Sequence, residues 1–385
     1  MKLLFASDSF KGSLSSAKTA ALLERAAREV LGEGVVCSGV PVADGGEGTA
    51  EAVVAAAGGS FIDAKVHGPL MEQVTARYGV LRGQRAVIEM AAASGLTLVP
   101  ENKRDPMRAT SFGTGELILN ALDSGCTDLA IAIGGSATND GGMGCARALG
   151  VRFLDDKGRE LEGRGEDLEK VRDIDLSSLD PRIKDTKITV MCDVTNPLCG
   201  PDGATNTFGA QKGAATETVA RLEAGMVNYR DIIRRKFGID PDAIPGAGAA
   251  GGLGAALAVF FGGEMRSGID TVLDLIGFDR LIEGADLVVT GEGRTDRQSA
   301  FGKVMRGVGE RARARGIPAV GLSGSLGEGA EILYDHGVAS IMTAVDAPMT
   351  LSEAIGRAEE LYCRAAVRMF RFIQAGMQIA EKAGE

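Results

Sequence analysis

Tryptophan is absent from this chain of 385 residues, which also holds only four tyrosines and two histidines. The histidines, His67 and His336, lie in no metal-binding or catalytic motif. Acid–base chemistry is therefore expected to rest on Asp, Glu or Lys side chains. The six cysteines form no CxxC pair, which disfavours a zinc site and is typical of reduced thiols in the cytoplasm.

Long apolar runs are missing as well. No segment reaches the roughly 18 residues that a transmembrane helix needs, so no membrane partner is expected. The apolar start, Met1–Phe5, is too short for the core of a signal peptide, and we expect a cytoplasmic protein. Lys and Arg number 42 against 52 Asp and Glu, a net charge of −10, which disfavours nucleic acid as a partner.

Glycine is abundant, with 55 residues in no G-X-Y repeat, which indicates turns and close backbone approaches. Strand–turn–helix alternation at both ends of the chain predicts a doubly wound α/β domain with a parallel sheet, made of residues 1–67 and 285–385. A hairpin pattern after residue 73 places a boundary near residue 68. Residues 68–284 are then a second, inserted α/β domain, with the active site expected in the cleft.

The segment Asp286–Val304 carries the densest pattern of charge and glycine. An apolar strand, Leu287–Val289, enters the turn Gly291–Asp296, and a helix follows. Such a turn directs backbone N–H groups and a helix dipole toward an anion. It is not a Walker A loop, because Val304 stands where that motif needs Ser or Thr. The alternative is a surface turn with solvated charges. The charged residues are Glu292, Arg294, Asp296, Arg297 and Lys303.

Two further turns repeat this design near the start of the chain. Asp8 and Lys11 follow a strand predicted at 2–6, and Asp44 with its glycines follows a strand predicted at 35–42. Ligands of open α/β sheets lie beyond the carboxyl ends of the strands. A surface ion pair or a tight Asx turn would explain each turn alone. Three such turns favour a shared site.

The middle of the chain adds two more polar strand ends. The loop Gly134–Gly142 holds four glycines and two hydroxyls, and its N–H groups could cradle a phosphate or carboxylate. A plain strand–helix connection is the alternative. Asp193 and Asn196 follow a strand predicted at 188–192, and this pair suits a magnesium-linked or hydroxyl-binding role.

Eight motifs stand in order along nearly the whole chain. They are SDSFKGSLSS at 7–16, PVADGGEGT at 41–49, FGTGELI at 112–118, IGGSATNDGGMG at 133–144, CDVTNPLCGPDGA at 192–204, FGAQKGA at 208–214, PGAGAAGGLG at 245–254 and the segment at 286–304. Taken together, these motifs resemble the bacterial glycerate kinase family, with one departure at Ala210, where proline is expected. The resemblance implies ATP-dependent phosphorylation of D-glycerate with Mg²⁺, by a flavodoxin-like domain and a restriction-enzyme-like domain.

A site hypothesis follows from the needs of phosphoryl transfer, which are positioning, charge neutralisation and an oriented nucleophile. The glycine loops hold the triphosphate, Lys11 and Lys303 neutralise it, Asp44 accepts the hydroxyl proton, and Arg294 pairs with the glycerate carboxylate. The predicted residues are, as catalytic, Asp44, Lys11, Asp193 and Lys303; as substrate-binding, Ser9, Lys11, Asn196 and Arg294; as nucleotide-binding, Gly134, Gly135, Ser136, Asn139, Gly291, Glu292 and Gly293; and as metal-binding, Asp8, Asp193 and Asp296.

Other functions stay open at this point. A kinase for a related hydroxy acid or polyol would use the same groups, and a non-catalytic regulator could bind a nucleotide or sugar acid with the same loops. An NAD-dependent oxidoreductase is disfavoured, because the GxGxxG at 246–251 follows Pro241 and Pro245 and not a strand. The sequence does not decide between 2-phosphoglycerate, which we favour, and the 3-phosphate, and it leaves a homodimer open.

Overall fold

The computed structural model describes residues 1–300 and 302–384. None of the helices in these ranges combines the length and the apolarity that crossing a membrane requires. The strands are β1 (Lys2–Ser7), β2 (Val36–Gly39), β3 (Ser60–His67), β4 (Gln73–Leu81), β5 (Arg85–Glu89), β6 (Asp128–Ala132), β7 (Arg152–Leu154), β8 (Asp173–Asp175), β9 (Lys187–Met191), β10 (Glu264–Arg266), β11 (Leu287–Gly291), β12 (Arg294–Thr295), β13 (Ala319–Ser323), β14 (Ser325–Leu326) and β15 (Val338–Thr343). The α-helices are α1 (Ser16–Leu31), α2 (Thr49–Ala57), α3 (Ala91–Ser94), α4 (Phe112–Asp123), α5 (Met143–Ala148), α6 (Ala204–Phe208), α7 (Thr216–Phe237), α8 (Ala249–Phe261), α9 (Gly268–Leu275), α10 (Phe278–Leu281), α11 (Val304–Arg313), α12 (Leu351–Gly356) and α13 (Ala358–Gly384). The 3₁₀ helices are Leu96–Leu98, Glu101–Lys103, Gly165–Lys170, Pro181–Asp185, Ala210–Lys212, Pro241–Ala243, Arg297–Ala300 and Ala330–His336.

The first of two compact units contains Met1–Asp44, Ala55–Ala57 and the described chain from Val272 onward. Its sheet has the order β15-β13-β11-β1-β2, with all neighbours parallel. Counted along the chain within this sheet, that is the order 2-1-3-4-5 of flavodoxin-like folds. The predicted doubly wound parallel-sheet fold is confirmed.

The core of the first unit explains why its central strands form. The run Leu3–Ala6 in β1 is buried throughout, as a parallel strand covered on both faces requires. Helices α1 and α13 pack on the sheet through a shared apolar cluster that includes Leu23 and Phe370. Helix α1 begins after Ser15, whose side chain accepts a hydrogen bond from the Lys18 N–H and so caps the start of the helix.

The second unit contains Gly45–Val54 and Gly58–Thr271. Its sheet has the order β10-β9-β6-β5-β4-β3. The strands from β10 to β5 are parallel, and β4 and β3 continue the sheet as antiparallel edge strands. This unit is therefore also α/β, as predicted. Its likeness to restriction-enzyme folds stays a prediction.

The predicted domain bounds, 1–67 with 285–385 and 68–284, differ from the two units. Strand β3 pairs antiparallel with β4 along its whole length, which places it in the sheet of the second unit. Residues 272–284 belong to the first unit. The amino-acid pattern marks β3 as a strand but carries no signal for its partner, so a boundary near residue 45 could not be found from it. The expected cleft between two domains stays a prediction.

The glycine-rich start of α8 makes a close backbone approach, as the sequence indicated. A Cβ atom at Gly251 would lie 2.0 Å from the carbonyl oxygen of Thr138, and one at Gly248 would lie 2.1 Å from that of Pro197. Gly251 also has a φ of +67°, which favours glycine. The segment therefore packs against the Gly134–Gly142 loop within the second unit.

Candidate active site

A cavity of about 490 Å³ lies in the first unit. Its charged lining comes from the turns after β1 and β11, from Asp44, and from the start of α11. All of the predicted site residues that line it belong to three segments that the sequence singled out as strand ends. They are Asp8, Ser9, Lys11, Asp44, Glu292, Gly293, Arg294 and Lys303.

The register between β1 and β11 brings the first two carboxylates together. Ser7 pairs with Gly291 at the carboxyl ends of these parallel strands, and the Asp8 N–H donates to the Gly291 carbonyl oxygen at 2.9 Å. Asp8 and Glu292 therefore leave neighbouring strands at the same level. From β1 the sheet grows to β2, and from β11 it grows to β13 on the other side. This switch point is where open α/β sheets bind ligands.

The carboxylates of the cavity lie close to one another and are largely shielded from solvent. Burial, and after it the negative charge of Asp44, raises the pKa of Asp8 to about 7, although the Ser9 N–H donates to Asp8 Oδ1 at 2.6 Å. Glu292 is 5% exposed, and burial raises its pKa against the opposing effects of the Ser299 hydroxyl and Lys303. Its Oε1 atom has no hydrogen-bond partner among the described residues.

Positive groups face the same cavity. Lys11 lies in the turn after β1, and Lys303 is the N-cap of α11, a helix whose first turn holds no acidic residue. The N-terminus of a helix attracts anions through its free N–H groups and its dipole. Arg294 is 70% exposed and pairs with Asp296 at 3.2 Å. The cavity thus offers cations for an anionic ligand beside carboxylates for a metal ion or a proton.

Two predicted residues of the first unit lie outside the cavity lining. Asp296 accepts the Gln298 N–H at 3.0 Å, besides pairing with Arg294. Gly291 packs closely against β13, as shown by the 2.0 Å that would separate a Cβ atom there from the Leu322 carbonyl oxygen. Both residues shape the turn that carries Glu292 and Arg294. Their predicted contacts with metal and nucleotide stay predictions.

The other predicted residues belong to the second unit, so their place beside the cavity stays a prediction. Gly134 and Gly135 are exposed after β6. Asp193 is exposed after β9, and its Oδ1 accepts the N–H of Gly268, the first residue of α9, at 2.9 Å. Asn196 donates to the Asp202 carbonyl oxygen at 2.8 Å. Polar groups thus follow two of the parallel strands of this sheet, β6 and β9.

Ser136 and Asn139 are engaged inside the second unit. The buried Lys212 donates to Ser136 Oγ at 2.8 Å and to the Thr138 carbonyl oxygen at 2.7 Å. Asn139 donates to the Thr205 hydroxyl at 3.0 Å. Burial lowers the pKa of Lys212 to about 7. Sequence reasoning missed Lys212, since its motif, FGAQKGA, carries no signal that a lysine is buried.

Sequence reasoning also missed the remaining cavity lining. Gly324 and Ser325 directly follow β13, so the strand-end rule could have found them. The apolar residues after β15 could not be found, because an apolar side chain in a helix is normally assigned to the core. These residues are Ala344 and Val345 directly after β15, Leu351, Ala354 and Ile355 in α12, and Ala358, Leu361 and Tyr362 in α13.

The donors in the cavity fit a magnesium ion bound with a phosphate substrate. Among residues 1–300 and 302–384, no group of three or more His, Cys, Asp and Glu side chains is spaced as a complete metal site. Mg²⁺ is usually held by one or two carboxylates together with substrate phosphates and water. The unpartnered Oε1 of Glu292 and the neighbouring Asp8 supply that number of carboxylates. The predicted roles of Asp193 and Asp296 as metal ligands stay untested.

Comparisons with known proteins extend over both units. A family model described as the glycerate kinase family matches residues 3–374. Glycerate 2-kinase of Escherichia coli (strain K12) is 46% identical over 381 residues, 99% of this chain and 100% of that protein. Glycerate kinase of Bacillus subtilis (strain 168) is 44% identical over 382 residues, 99% of each chain. A crystal structure from Salmonella typhimurium LT2, assigned as a glycerate kinase 2, has a TM-score of 0.87 at 43% identity and covers 98% of this chain and 99% of that one.

Asp8→Asn is expected to stabilise the metal-free protein at pH 8. An acid whose pKa is higher in the folded than in the unfolded state loses stability as the pH rises between the two values. A rise from 3.8 to about 7 corresponds to at most ~4 kcal/mol. The gain in melting temperature should therefore be largest at pH 8 and shrink toward pH 5, where Asp8 is protonated.

The matched control is Asp296→Asn, because Asp296 lies outside the cavity and pairs with Arg294. It should give no gain at pH 8. An Asp8→Asn variant that melts below the unchanged protein at pH 8 would contradict the raised pKa.

Proposed function

Since the chain belongs to the glycerate kinase family, and is therefore a kinase, we propose that it transfers the γ-phosphoryl group of ATP to D-glycerate. The observation that carries this proposal is the cavity of the first unit, where Asp8, Asp44 and Glu292 share one space with Lys11 and Lys303. Phosphoryl transfer needs such a set, because the phosphates must be neutralised, the metal held and the hydroxyl oriented. A related hydroxy acid is the alternative acceptor.

The phosphate chain is assigned to the positive side of the cavity. Lys11 and Lys303 would neutralise its oxygens, and the N-terminus of α11 adds the helix dipole at Lys303. A phosphate can come close to the backbone at Gly293, because this residue has no side chain. The space beside it is open, since even an added Cβ would meet nothing nearer than 3.5 Å. The predicted phosphate contacts of the Gly134–Gly142 loop remain part of the hypothesis.

The metal ion is assigned to Asp8 and Glu292, the two carboxylates that the strand register sets side by side. Held by these two carboxylates, Mg²⁺ would supply positive charge that offsets the negative charge developing on the phosphate oxygens. Asp8 must lose its proton to act as a ligand. Because its pKa is about 7 in the metal-free protein, metal binding at this site would depend on pH.

The acceptor is assigned to the remaining groups. Asp44 would accept the hydroxyl proton as the oxygen attacks the γ-phosphorus and the bond to ADP breaks, so that the proton ends on the carboxylate. Arg294 presents a planar guanidinium suited to the substrate carboxylate, and Ser9 lines the cavity between Asp8 and Lys11. We assign the 2-hydroxyl as acceptor, in line with the name of the Escherichia coli relative.

The activity itself is tested with purified chain, Mg²⁺ and ATP labelled at the γ-phosphate. D-glycerate is expected to accept the label, and phosphorus NMR is expected to identify 2-phosphoglycerate. Lactate keeps the carboxylate and the 2-hydroxyl, whereas glycerol lacks the carboxylate, so glycerol should be the poorer acceptor. Transfer to D-glycerate no faster than with ATP alone would reject the proposal, and transfer to lactate in its place would favour a kinase for a related hydroxy acid.

Asp44→Asn is expected to lower kcat by about 10²-fold or more, because an amide cannot accept the proton. The melting temperature should stay close to that of the unchanged protein. Glu47→Gln is the control, since Glu47 is an exposed carboxylate of the same turn and lies outside the cavity lining. If Asp44→Asn lowers the melting temperature strongly and does not only lower kcat, Asp44 has a structural role.

Arg294→Lys is expected to raise the KM for glycerate by about tenfold, the loss of one charge-assisted hydrogen bond. The KM for ATP should change less, because a lysine keeps the positive charge. Arg297→Lys, in an exposed arginine of the same segment, should alter neither. If the KM for ATP alone rises, Arg294 contacts the nucleotide and the carboxylate assignment is wrong.

A further inference from the structure

The cavity of the first unit has a second wall that the small acid substrate does not explain. This apolar wall consists of Val345, Leu351, Ala354, Ile355 and Ala358. Leu351 is 76% exposed and Ile355 is 41% exposed, so two large apolar side chains face solvent in a cavity. Glycerate has three carbons, each bearing oxygen, and offers almost no apolar surface to cover them.

Helix α12 holds these side chains in place. Thr350 and Glu353 form a capping box at its start, and Leu351 and Ile355 are four residues apart, so both lie on one face of the helix. Within α12, these two side chains therefore belong to one apolar face that lines the cavity. Ligand pockets commonly combine such a surface with a few charged groups.

The charged residues of the cavity and the apolar wall lie at different positions along the sheet. Along the sheet order β2-β1-β11-β13-β15, the cavity is lined first by Asp44 and Asp8, next by Glu292, then by Ser325, and last by Val345 after β15. Charge is concentrated at the β1–β11 end, and apolar surface at the β15 end. A ligand that fits this gradient has an anionic chain at one end and a flat apolar group at the other.

We propose that the apolar wall is the subsite for the base of the nucleotide, with Leu351 and Ile355 packing on the face of the ring. This inference rests on the proposed function, which supplies a nucleoside triphosphate as the second substrate. The phosphates then point toward Lys11 and Lys303, and the base lies over α12. Leu351 and Ile355 set nucleotide affinity without contacting the acceptor.

The test compares a nucleotide with an inorganic polyphosphate, which has neither base nor ribose. Calorimetry with the full chain and Mg²⁺ measures the Kd of ADP and of inorganic tripolyphosphate. Leu351→Ser is expected to raise the Kd of ADP by roughly tenfold, since the apolar contact between the leucine and the base is lost, and to leave that of tripolyphosphate unchanged. Ile355→Ser, as a second variant, should do the same. Leu351→Met should restore the affinity for ADP.

The control is Ile379→Ser, because Ile379 is 69% exposed on α13 and is not part of the cavity lining. It should change neither Kd. Equal weakening of both probes by Leu351→Ser, or no weakening, would overturn the subsite and indicate that the wall is covered by something other than the base. Failure of the proposed function is recognised separately, as absent phosphoryl transfer by the unchanged protein.

Discussion

The parallel pairing of β1 with β11 is the constraint on which the site depends. Both strands are anchored by buried apolar side chains such as Phe5 and Val289, and their ladder ends with Ser7 opposite Gly291. Asp8 and Glu292 must then emerge side by side, although like charges that share a desolvated site repel each other. The backbone holds them there, and the raised pKa of Asp8 is a consequence of the fold, since it arises first from burial, then from the charge of Asp44 and only last from that of Glu292. Lysines, protons or a divalent cation are what relieve this repulsion.

Two buried carboxylates show how a structural role differs from a functional one. Asp140, in the second unit, is fully buried and accepts hydrogen bonds from the backbone and hydroxyl of Ser111 and from the N–H groups of Gly142 and Gly144. Its oxygens are satisfied internally, which fixes the glycine loop. Glu292 is buried to a similar degree but keeps one oxygen without a partner among the described residues. Such a group is costly unless a ligand completes it.

The sequence predicted those cavity residues that follow a strand along the chain. Asp8, Asp44 and Lys303 follow from one rule, that polar residues after buried strands collect at one edge of a parallel sheet. Partners distant in sequence could not be predicted in this way. Lys212 lies 76 residues from Ser136, to which it donates. The antiparallel pairing of β3 with β4 could not be predicted either, so the predicted boundary near residue 68 differs from the limit at Asp44 and Gly45 between the two compact units. The cytoplasmic location and a homodimer stay predictions.

The order of the cavity lining along the strands would also place nucleotide binding and phosphoryl transfer at different ends of the cavity. A three-carbon acid offers few groups through which an enzyme can bind it tightly, so binding energy must come from remote parts of the other substrate. An apolar wall beyond β15 can supply that energy without touching the reacting atoms at the β1–β11 end. Changes at Leu351 would then alter how strongly the nucleotide is held, whereas changes at Asp44 would alter the transfer step. The parallel sheet provides this separation, because each strand end contributes its own segment of the cavity.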